Sequence, residues 1–276
     1  MSPSLAAETA LINQLWPPAL KPHWTDKVAV RLRKYPGFCV ICGRPTMFLV
    51  GKEHLRESVA CGSCGSSSRH RQLLIVLLQR WGLNRPRASL KTLAGDVRVW
   101  NLEAKCALHD HLQKHLGANY FGSEYIDSAL RSGDVRNGML HVDVEDVHFP
   151  DDSLDVVLSS DVLEHVAAPT RAIRETHRVL RPGGMHIFTV PFYAHRFLSE
   201  RRAFRDERGD VQHLMPPMYH HDPMRPEVGA LVYNIFAPEF LCELESTGFD
   251  VTSYVLHEPF RGILGNDAFV FVAQKR

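Results

Sequence analysis

Four of the six cysteines stand in two pairs whose spacing suits metal chemistry. Cys39 and Cys42 form one C-x2-C pair, Cys61 and Cys64 form the other, and 18 residues separate the pairs. Two such turns at this separation are typical of a closed tetrahedral zinc site with four thiolate ligands. Four free cysteines or a redox pair are the alternative, but a redox pair has no need of a second pair. The sequence therefore predicts a structural Zn2+ ion.

Histidines form a second group of reactive side chains. His165 follows an apolar run, and His195, His213 and His220 stand in a polar and aromatic stretch further along. Histidine titrates near neutral pH, so each of the four is a candidate general base. The segment His220-His221-Asp222 is also a candidate partner of His195 or His213 in binding a metal. The simpler alternative is that these histidines pack and form hydrogen bonds within a folded loop.

Three cations stand at the predicted start of a helix. Arg69, His70 and Arg71 follow a run of serines and precede the apolar run Gln72–Trp81. Serine is a good N-cap, so the run predicts a buried helix with the cations in its first turn. Positive charge is unfavourable at that end of a helix unless it meets an anion. The candidate anions are a phosphate, a substrate carboxylate or an acidic side chain elsewhere in the chain.

The near-neutral net charge of +1 conceals two regions of opposite charge. Residues 21–91 contain 14 basic and three acidic residues, whereas residues 92–276 contain 18 basic and 27 acidic residues. The basic region suits either docking on the acidic region or binding a nucleic acid. No run of 18 apolar residues and no secretory signal is seen, which predicts no membrane span. We expect a cytoplasmic protein with reduced thiols.

From residue 96 the pattern alternates between strands and helices. Short apolar strands are predicted near residues 97–100, 120–125, 139–144, 154–159, 185–190, 251–256 and 268–273, with helices near 106–116, 169–180 and 237–247. Alternating strands and helices indicate an α/β fold, a parallel sheet with helices on both faces. We divide the chain into a helical extension (1–35), a four-cysteine module with its helix (36–82) and an α/β domain (83–276).

Part of the α/β domain resembles a known family. The stretch Asp161-Val-Leu-Glu-His-Val, followed by Arg174-Glu175 and Arg181-Pro-Gly-Gly, is similar to class I methyltransferases that use S-adenosylmethionine. The resemblance covers about residues 95–275. It implies a Rossmann-like sheet of seven strands, preceded here by a small zinc-ribbon-like module. It also implies that the insertion at residues 192–236, after the fifth strand, forms a lid over the methyl acceptor.

The resemblance assigns cofactor roles to particular positions. The acid that ends the second strand binds the ribose hydroxyls, and an acid with an apolar neighbour after the third strand contacts the adenine. The loop after the fourth strand faces the cofactor and the acceptor. The turn after the first strand departs from the family pattern because it has no glycine. The implied cofactor-binding residues are Glu103, Ala104, Glu124, Tyr125, Asp143, Val144, Ser160 and Asp161.

Three functions are compatible with these features. The first is an S-adenosylmethionine-dependent enzyme that methylates oxygen or nitrogen of a small-molecule or glycan acceptor. The second is an RNA methyltransferase that uses the basic four-cysteine module as an RNA anchor. The third is a zinc-stabilised binding protein without catalytic activity, which the glycine-free turn suggests. We favour the first because no Asn-Pro-Pro-Tyr type motif for base amines follows the fourth strand; Ser159-Ser160-Asp161-Val162 stands there instead.

Overall fold

The computed structural model describes residues 23–51 and 54–276. Residues 1–22 of the predicted helical extension therefore lie outside the described ranges. Within them, a helix covers Trp24–Leu32, and the first strand begins at Lys34. The strand thus starts two residues before the predicted beginning of the four-cysteine module.

The bounds of the regular elements are as follows. The helices are α1 (Trp24–Leu32), α2 (Leu55–Ser58), α3 (Ser68–Arg80), α4 (Ala107–Leu116), α5 (Pro169–Val179) and α6 (Pro238–Thr247). The strands are β1 (Lys34–Cys39), β2 (Arg44–Val50), β3 (Val59–Cys61), β4 (Val99–Asn101), β5 (Tyr120–Glu124), β6 (Val135–Arg136), β7 (Met139–His141), β8 (Leu154–Ser160), β9 (Leu180–Thr189), β10 (Glu200–Arg201), β11 (Ala203–Arg205), β12 (Val211–His213), β13 (Tyr219–His220), β14 (Ala230–Leu231), β15 (Asn234–Ile235), β16 (Phe249–Val255) and β17 (Phe269–Lys275). Across the described ranges, no helix is both long and apolar enough to cross a membrane.

Eight strands form the central sheet in the order β16-β17-β9-β8-β4-β5-β7-β6. The five strands from β9 to β7 run parallel, whereas β17, β16 and β6 pair antiparallel with their neighbours. The predicted seven strands are present, and β6 is an additional two-residue strand at the edge. This order brings the carboxyl ends of β4, β5, β7 and β8 to one edge of the sheet, where ligands bind in open α/β folds.

Both faces of the sheet are covered, as alternating side chains require. In β8, Val156 and Leu158 join a core that contains the helices α3 and α4, whereas Val157 joins the core beneath α5 and α6. All six residues from Leu73 to Leu78 of α3 are at most 1% exposed. The helix after the cysteines is therefore a layer of the α/β domain, and the two predicted units share one hydrophobic core.

The four-cysteine module contains the small antiparallel sheet β1-β2-β3. Each C-x2-C pair forms a tight turn that ends in a glycine with positive φ, 65° at Gly43 and 73° at Gly65. The amide of Gly43 donates to the carbonyl of Cys39, and that of Gly65 donates to Cys61. Glycine adopts this left-handed conformation without strain, which explains its position after each pair.

The lid segment, residues 192–236, folds into three short antiparallel ribbons. They pair β10 with β15, β11 with β12, and β13 with β14. Backbone hydrogen bonds attach the segment to the domain: the amide of Tyr233 donates to the carbonyl of Glu164, and the amide of Phe236 donates to that of Pro191. The lid segment is therefore an ordered structure that lies over the end of β8.

Candidate functional site

Two adjoining cavities lie at the carboxyl ends of the parallel strands. Cavity A has a volume of about 720 Å3, and its lining includes Glu103, Glu124, Asp161 and His220. Cavity B has a volume of about 610 Å3, and its lining includes Asp143. Tyr125, Val162, His165 and Tyr219 are among the residues that line both cavities. Volumes of this size are typical of small-molecule and cofactor sites.

The cofactor positions at the ends of β4 and β5 are held together by hydrogen bonds. Glu124 Oε1 accepts from the backbone amides of Ala104 (2.9 Å) and Lys105 (3.0 Å). The side-chain amide of Asn101 donates to the carbonyl of Glu103. The turn without glycine is therefore held in shape by the side-chain amide of Asn101 on β4 and by the carboxylate of Glu124 on β5.

The two carboxylates at this turn influence each other electrostatically. Burial and the nearby charge of Glu103 raise the pKa of Glu124 to about 7. Glu103 Oε2 is buried and has no hydrogen-bond partner among the described residues. Buried polar atoms in native proteins are normally hydrogen-bonded, so this oxygen has room for a donor from a ligand.

The remaining predicted cofactor residues divide between the two cavities. Asp143 and Val144 line cavity B, Ser160 lines cavity A and Tyr125 lines both. Asp143 Oδ1 accepts from the amide of Glu145 at 2.9 Å, which fixes the carboxylate in the loop after β7. Seven of the eight predicted cofactor positions thus line these two cavities, whereas Ala104 lines neither.

Asp161 is the centre of a buried cluster of charges. Arg56 donates two hydrogen bonds to its carboxylate at 2.8 and 2.5 Å, and Arg69 donates another at 2.5 Å. Thr189 Oγ1 donates to Oδ1 at 2.9 Å. Asp161 has a φ of 55°, a left-handed conformation that is uncommon for a residue with a side chain. Burial alone would raise the pKa of Asp161, but Arg56 and Arg69 outweigh burial and hold that pKa well below its usual range.

The other cations at the start of α3 also find partners. His70 Nε2 lies 3.5 Å from Glu103 Oε1. Burial lowers the pKa of His70, but the Glu103 carboxylate outweighs burial and raises the pKa to about 10. Arg71 is fully buried and donates to the carbonyls of Val59 (2.8 Å) and Gly262 (2.9 Å). Two of the three cations, Arg69 and His70, therefore pair with acidic side chains of the α/β domain. Such an acid was one of the predicted kinds of anion.

A cluster of an acid and two histidines lies beside Asp161. Glu164 is fully buried, and its Oε1 lies 3.7 Å from His165 Nε2 and 3.5 Å from His220 Nδ1. The two imidazole rings meet edge to face, with their centroids 5.0 Å apart. Burial raises the pKa of Glu164, and the contact with Glu164 raises the pKa of His220. His165 and His220 were predicted as candidate bases, and the structure brings both to cavity A.

The structure does not bring the other two candidate bases to this space. His195 is exposed and its ring packs against Tyr193, with centroids 5.3 Å apart. His213 is exposed on β12, where it pairs with Ala203 of β11. Among the described residues that line the two cavities, neither histidine appears. His195 lies in a turn before β10 and His213 lies on β12, and both side chains are exposed, which a count of histidines does not reveal.

Sequence reasoning missed several residues of the site. The four-cysteine module contributes His54 and Glu57 to the wall of cavity A, and Arg225 of the lid segment lines both cavities. Glu164 belongs to the stretch that resembles the methyltransferase family, but it was not predicted as a site residue. The positive charge excess of residues 21–91 signalled a contact between the two regions, but not which residues would make it.

The four cysteines predicted as zinc ligands lie close together. Their sulfur atoms are all within 4.8 Å of one another, and Cys39 Sγ lies 3.8 Å from Cys64 Sγ. Zinc–sulfur bonds of about 2.3 Å in a tetrahedron place the sulfur atoms about 3.8 Å apart. None of these cysteines forms a disulfide. The arrangement therefore fits a tetrathiolate metal site.

Part of the chain is similar to known methyltransferases. The family model described as "Methyltransferase domain" matches residues 105–188. An uncharacterised methyltransferase of Mycolicibacterium vanbaalenii is 33% identical over 121 residues, which cover 40% of this chain and 44% of that protein. A probable S-adenosylmethionine-dependent methyltransferase of Mycolicibacterium smegmatis is 29% identical over 111 residues, which cover 35% of this chain and 43% of that protein. The chain thus aligns with less than half of the length of these relatives.

Solved structures similar to this chain include an S-adenosylmethionine-dependent methyltransferase from Archaeoglobus fulgidus. It is 16% identical, with a TM-score of 0.42, and the alignment covers 74% of this chain and 94% of that protein. Residues 105–188 of the chain match a methyltransferase domain, and the strand order described above is that of a Rossmann-like α/β fold.

Replacing Asp161 tests whether the buried ion cluster holds the module to the domain. The change Asp161→Asn removes the buried carboxylate that Arg56 and Arg69 share, and Arg56 then keeps only the exposed Glu57 as an ion partner. We expect a loss of about 3 kcal/mol in the free energy of unfolding. Urea denaturation measures this loss. The matched control is Asp127→Asn, which removes the partly exposed ion pair with Arg136 and should change stability little. Equal stability of the two variants would contradict the assigned importance of the cluster.

Proposed function

We propose that this protein is an S-adenosylmethionine-dependent methyltransferase whose acceptor is a small molecule or the end of a glycan. The observation that supports this proposal is that three parts of the chain line cavity A at the carboxyl ends of β4, β5 and β8. The lid segment contributes Tyr219 and His220, and the four-cysteine module contributes His54 and Arg69. A cavity lined in this way suits an acceptor that enters whole or inserts a terminal group.

The residues around the two cavities fit the cofactor. Asp143 and Val144 in cavity B suit an adenine, with a polar group for its amine and an apolar side chain for its ring. Glu124 suits the ribose, since a carboxylate accepts from two adjacent hydroxyls. The unpartnered Glu103 Oε2 suits the ammonium group of the methionine part. In this assignment the cofactor spans both cavities, and the rest of cavity A remains for the acceptor.

When bound, the cofactor would supply a sulfonium methyl group for transfer to an acceptor oxygen or nitrogen. The protein's contribution is alignment of the acceptor and exclusion of water. Ser160 and Asp161 line cavity A together with residues of the lid segment and the four-cysteine module. His165 and His220 lie on the acceptor side, where a group that binds or deprotonates the acceptor is needed.

A transfer assay tests the function. Purified protein is incubated with S-adenosylmethionine labelled in its methyl group and with a cell extract that is separated into small-molecule, glycan and RNA fractions. We expect label in the small-molecule or glycan fraction, and we expect the Glu124→Gln variant to transfer much less. Label confined to RNA would replace the proposal with the RNA-anchoring function. Cofactor binding without any transfer would favour a binding protein.

The charges of the module argue against RNA as the acceptor. Arg56 and Arg69 are bound to Asp161, and Arg71 is buried against backbone carbonyls. These three cations are therefore used inside the molecule and are not available for phosphate contacts. Binding to RNA would also weaken steeply with salt, which the same extract fractions can show.

The pKa of Glu124 predicts a pH dependence of cofactor binding. The carboxylate must be ionised to accept from two ribose hydroxyls, and its pKa of about 7 means that protonation below that value removes an acceptor. Affinity for S-adenosylmethionine should therefore rise with pH, by about tenfold between pH 6 and pH 8. Isothermal titration calorimetry at the two pH values measures the change. In Glu124→Gln the dependence should largely disappear, and an equal slope in both proteins would contradict the assignment.

We also propose that the four cysteines bind a structural Zn2+ ion. The sulfur distances support a tetrahedral site, and Arg71 lies near it as a buried cation that offsets the negative charge of a zinc tetrathiolate. Thiolate ligands require a reducing compartment, which agrees with the expected cytoplasmic location. The ion would fix the two turns that carry β1, β2 and the start of α3.

Loss of one thiolate should release zinc and destabilise the chain. We expect Cys61→Ser to lose one zinc equivalent by elemental analysis. Its thermal midpoint should fall by roughly 10 °C, the shift for a loss of about 4 kcal/mol in a chain of this size. Cys242→Ser, at an exposed cysteine outside the cluster, is the matched control and should change neither quantity. Unchanged zinc content in Cys61→Ser would rule out the four-cysteine site.

A further inference from the structure

We propose that Glu164, His165 and His220 bind a divalent metal ion, distinct from the zinc of the four cysteines, and that its open coordination position faces cavity A. One carboxylate oxygen and two imidazole nitrogens are a donor set that zinc and other first-row divalent ions prefer. The metal site rests on the contacts of these three residues. The suggestion that this metal ion binds the methyl acceptor also rests on the proposed function.

The first observation is the environment of Glu164. Its side chain is fully buried, and neither of its carboxylate oxygens has a hydrogen-bond partner among the described residues. Its backbone carbonyl, by contrast, accepts from the amide of Tyr233. A buried carboxylate without hydrogen bonds is rare in native proteins, since desolvation of the charge has to be offset by a partner. A metal ion bound between the acid and the histidines supplies that partner.

The second observation is the spacing of the ligand atoms. Glu164 Oε1 lies 3.5 Å from His220 Nδ1 and 3.7 Å from His165 Nε2, and one ligand atom from each residue lies within 4.8 Å of the others. Two tetrahedral ligands with bonds of about 2.1 Å to zinc lie about 3.4 Å apart. The distances to Glu164 are thus close to those of a metal site and long for direct hydrogen bonds. A small inward movement of His220 would complete the set.

The third observation is the orientation of His165. Its Nδ1 lies 2.8 Å from the carbonyl oxygen of Leu231, which can only accept, so Nδ1 carries the hydrogen. The neutral ring therefore directs the lone pair of Nε2 toward Glu164. Metal-bound histidines usually donate their second nitrogen to a carbonyl or carboxylate in this way. The contact with Leu231 also ties the site to β14 of the lid segment.

The site has a closed side and an open side. Glu164 is fully buried behind the cluster, whereas His165 and His220 line cavity A. Three protein ligands with a free position are typical of metal sites that bind a substrate or water. The open position therefore suits an oxygen or nitrogen donor of the methyl acceptor, such as a hydroxyl or carboxylate. In this role the two histidines are ligands, which replaces their predicted role as general bases.

Cobalt titration of the full chain tests the site. Protein purified with zinc in its four-cysteine site is dialysed and titrated with Co2+, followed by calorimetry and visible absorption. We expect one Co2+ per chain with weak bands typical of nitrogen and oxygen ligands, and without thiolate-to-cobalt charge transfer. Glu164→Gln and His220→Asn should each weaken Co2+ binding roughly 100-fold or more. Glu164→Gln preserves shape and removes a buried charge, and His220 is partly exposed, so both variants should fold.

His221→Asn is the matched control, because His221 adjoins His220 on the lid segment but is not part of the cluster. It should bind Co2+ like the unaltered protein. Absence of the additional Co2+, or equal binding by Glu164→Gln, would overturn the proposed site. The readout needs no methyl acceptor, so failure of methyl transfer with Co2+ binding intact would contradict the proposed function and leave the metal site standing.

Discussion

The structure depends on one buried interaction, in which Arg56 and Arg69 share the carboxylate of Asp161. It joins residues that are about 100 positions apart in sequence, and it connects the four-cysteine module to the loop after β8. The guanidinium group of Arg56 is buried, and Asp161 is its buried ion partner, so loss of this carboxylate is expected to be destabilising. Thr189 holds the same carboxylate from β9. The position of Asp161 in the lining of cavity A and the position of the module are consequently set by the same contact.

The four-cysteine module is therefore best understood as part of the α/β domain. Its helix α3 is buried in the core beneath the central sheet, and Arg71 donates to carbonyls on both sides of the boundary, at Val59 and Gly262. A zinc ion in the two turns would orient the start of α3, from which Arg69 and His70 reach Asp161 and Glu103. The zinc ion would thus help to position α3, and α3 in turn positions residues at the wall of cavity A.

Most of the fold could be predicted from the sequence, but few of the site's contacts between residues far apart in the chain could. Apolar runs bounded by turns predicted the seven main strands and three of the domain's helices, because local pattern decides them. The helix that begins near Pro169 ends at Val179, and the next strand begins at Leu180, before the predicted start at Met185. The cations of α3 indicated an anionic partner by local electrostatics alone. That Asp161 and Glu103 are the partners follows from the tertiary packing, which local pattern does not contain.

The glycine-free turn after β4 shows how the rest of the structure compensates for a departure from the family pattern. A glycine-rich turn would offer free backbone amides to the cofactor, whereas here Glu124 accepts from the amides of Ala104 and Lys105. Glu124 at the end of β5 thus also fixes the turn after β4. His70 approaches the same turn from α3 and partly balances the charge of Glu103. This contact from the four-cysteine module consequently offsets part of the repulsion between the neighbouring carboxylates of Glu103 and Glu124.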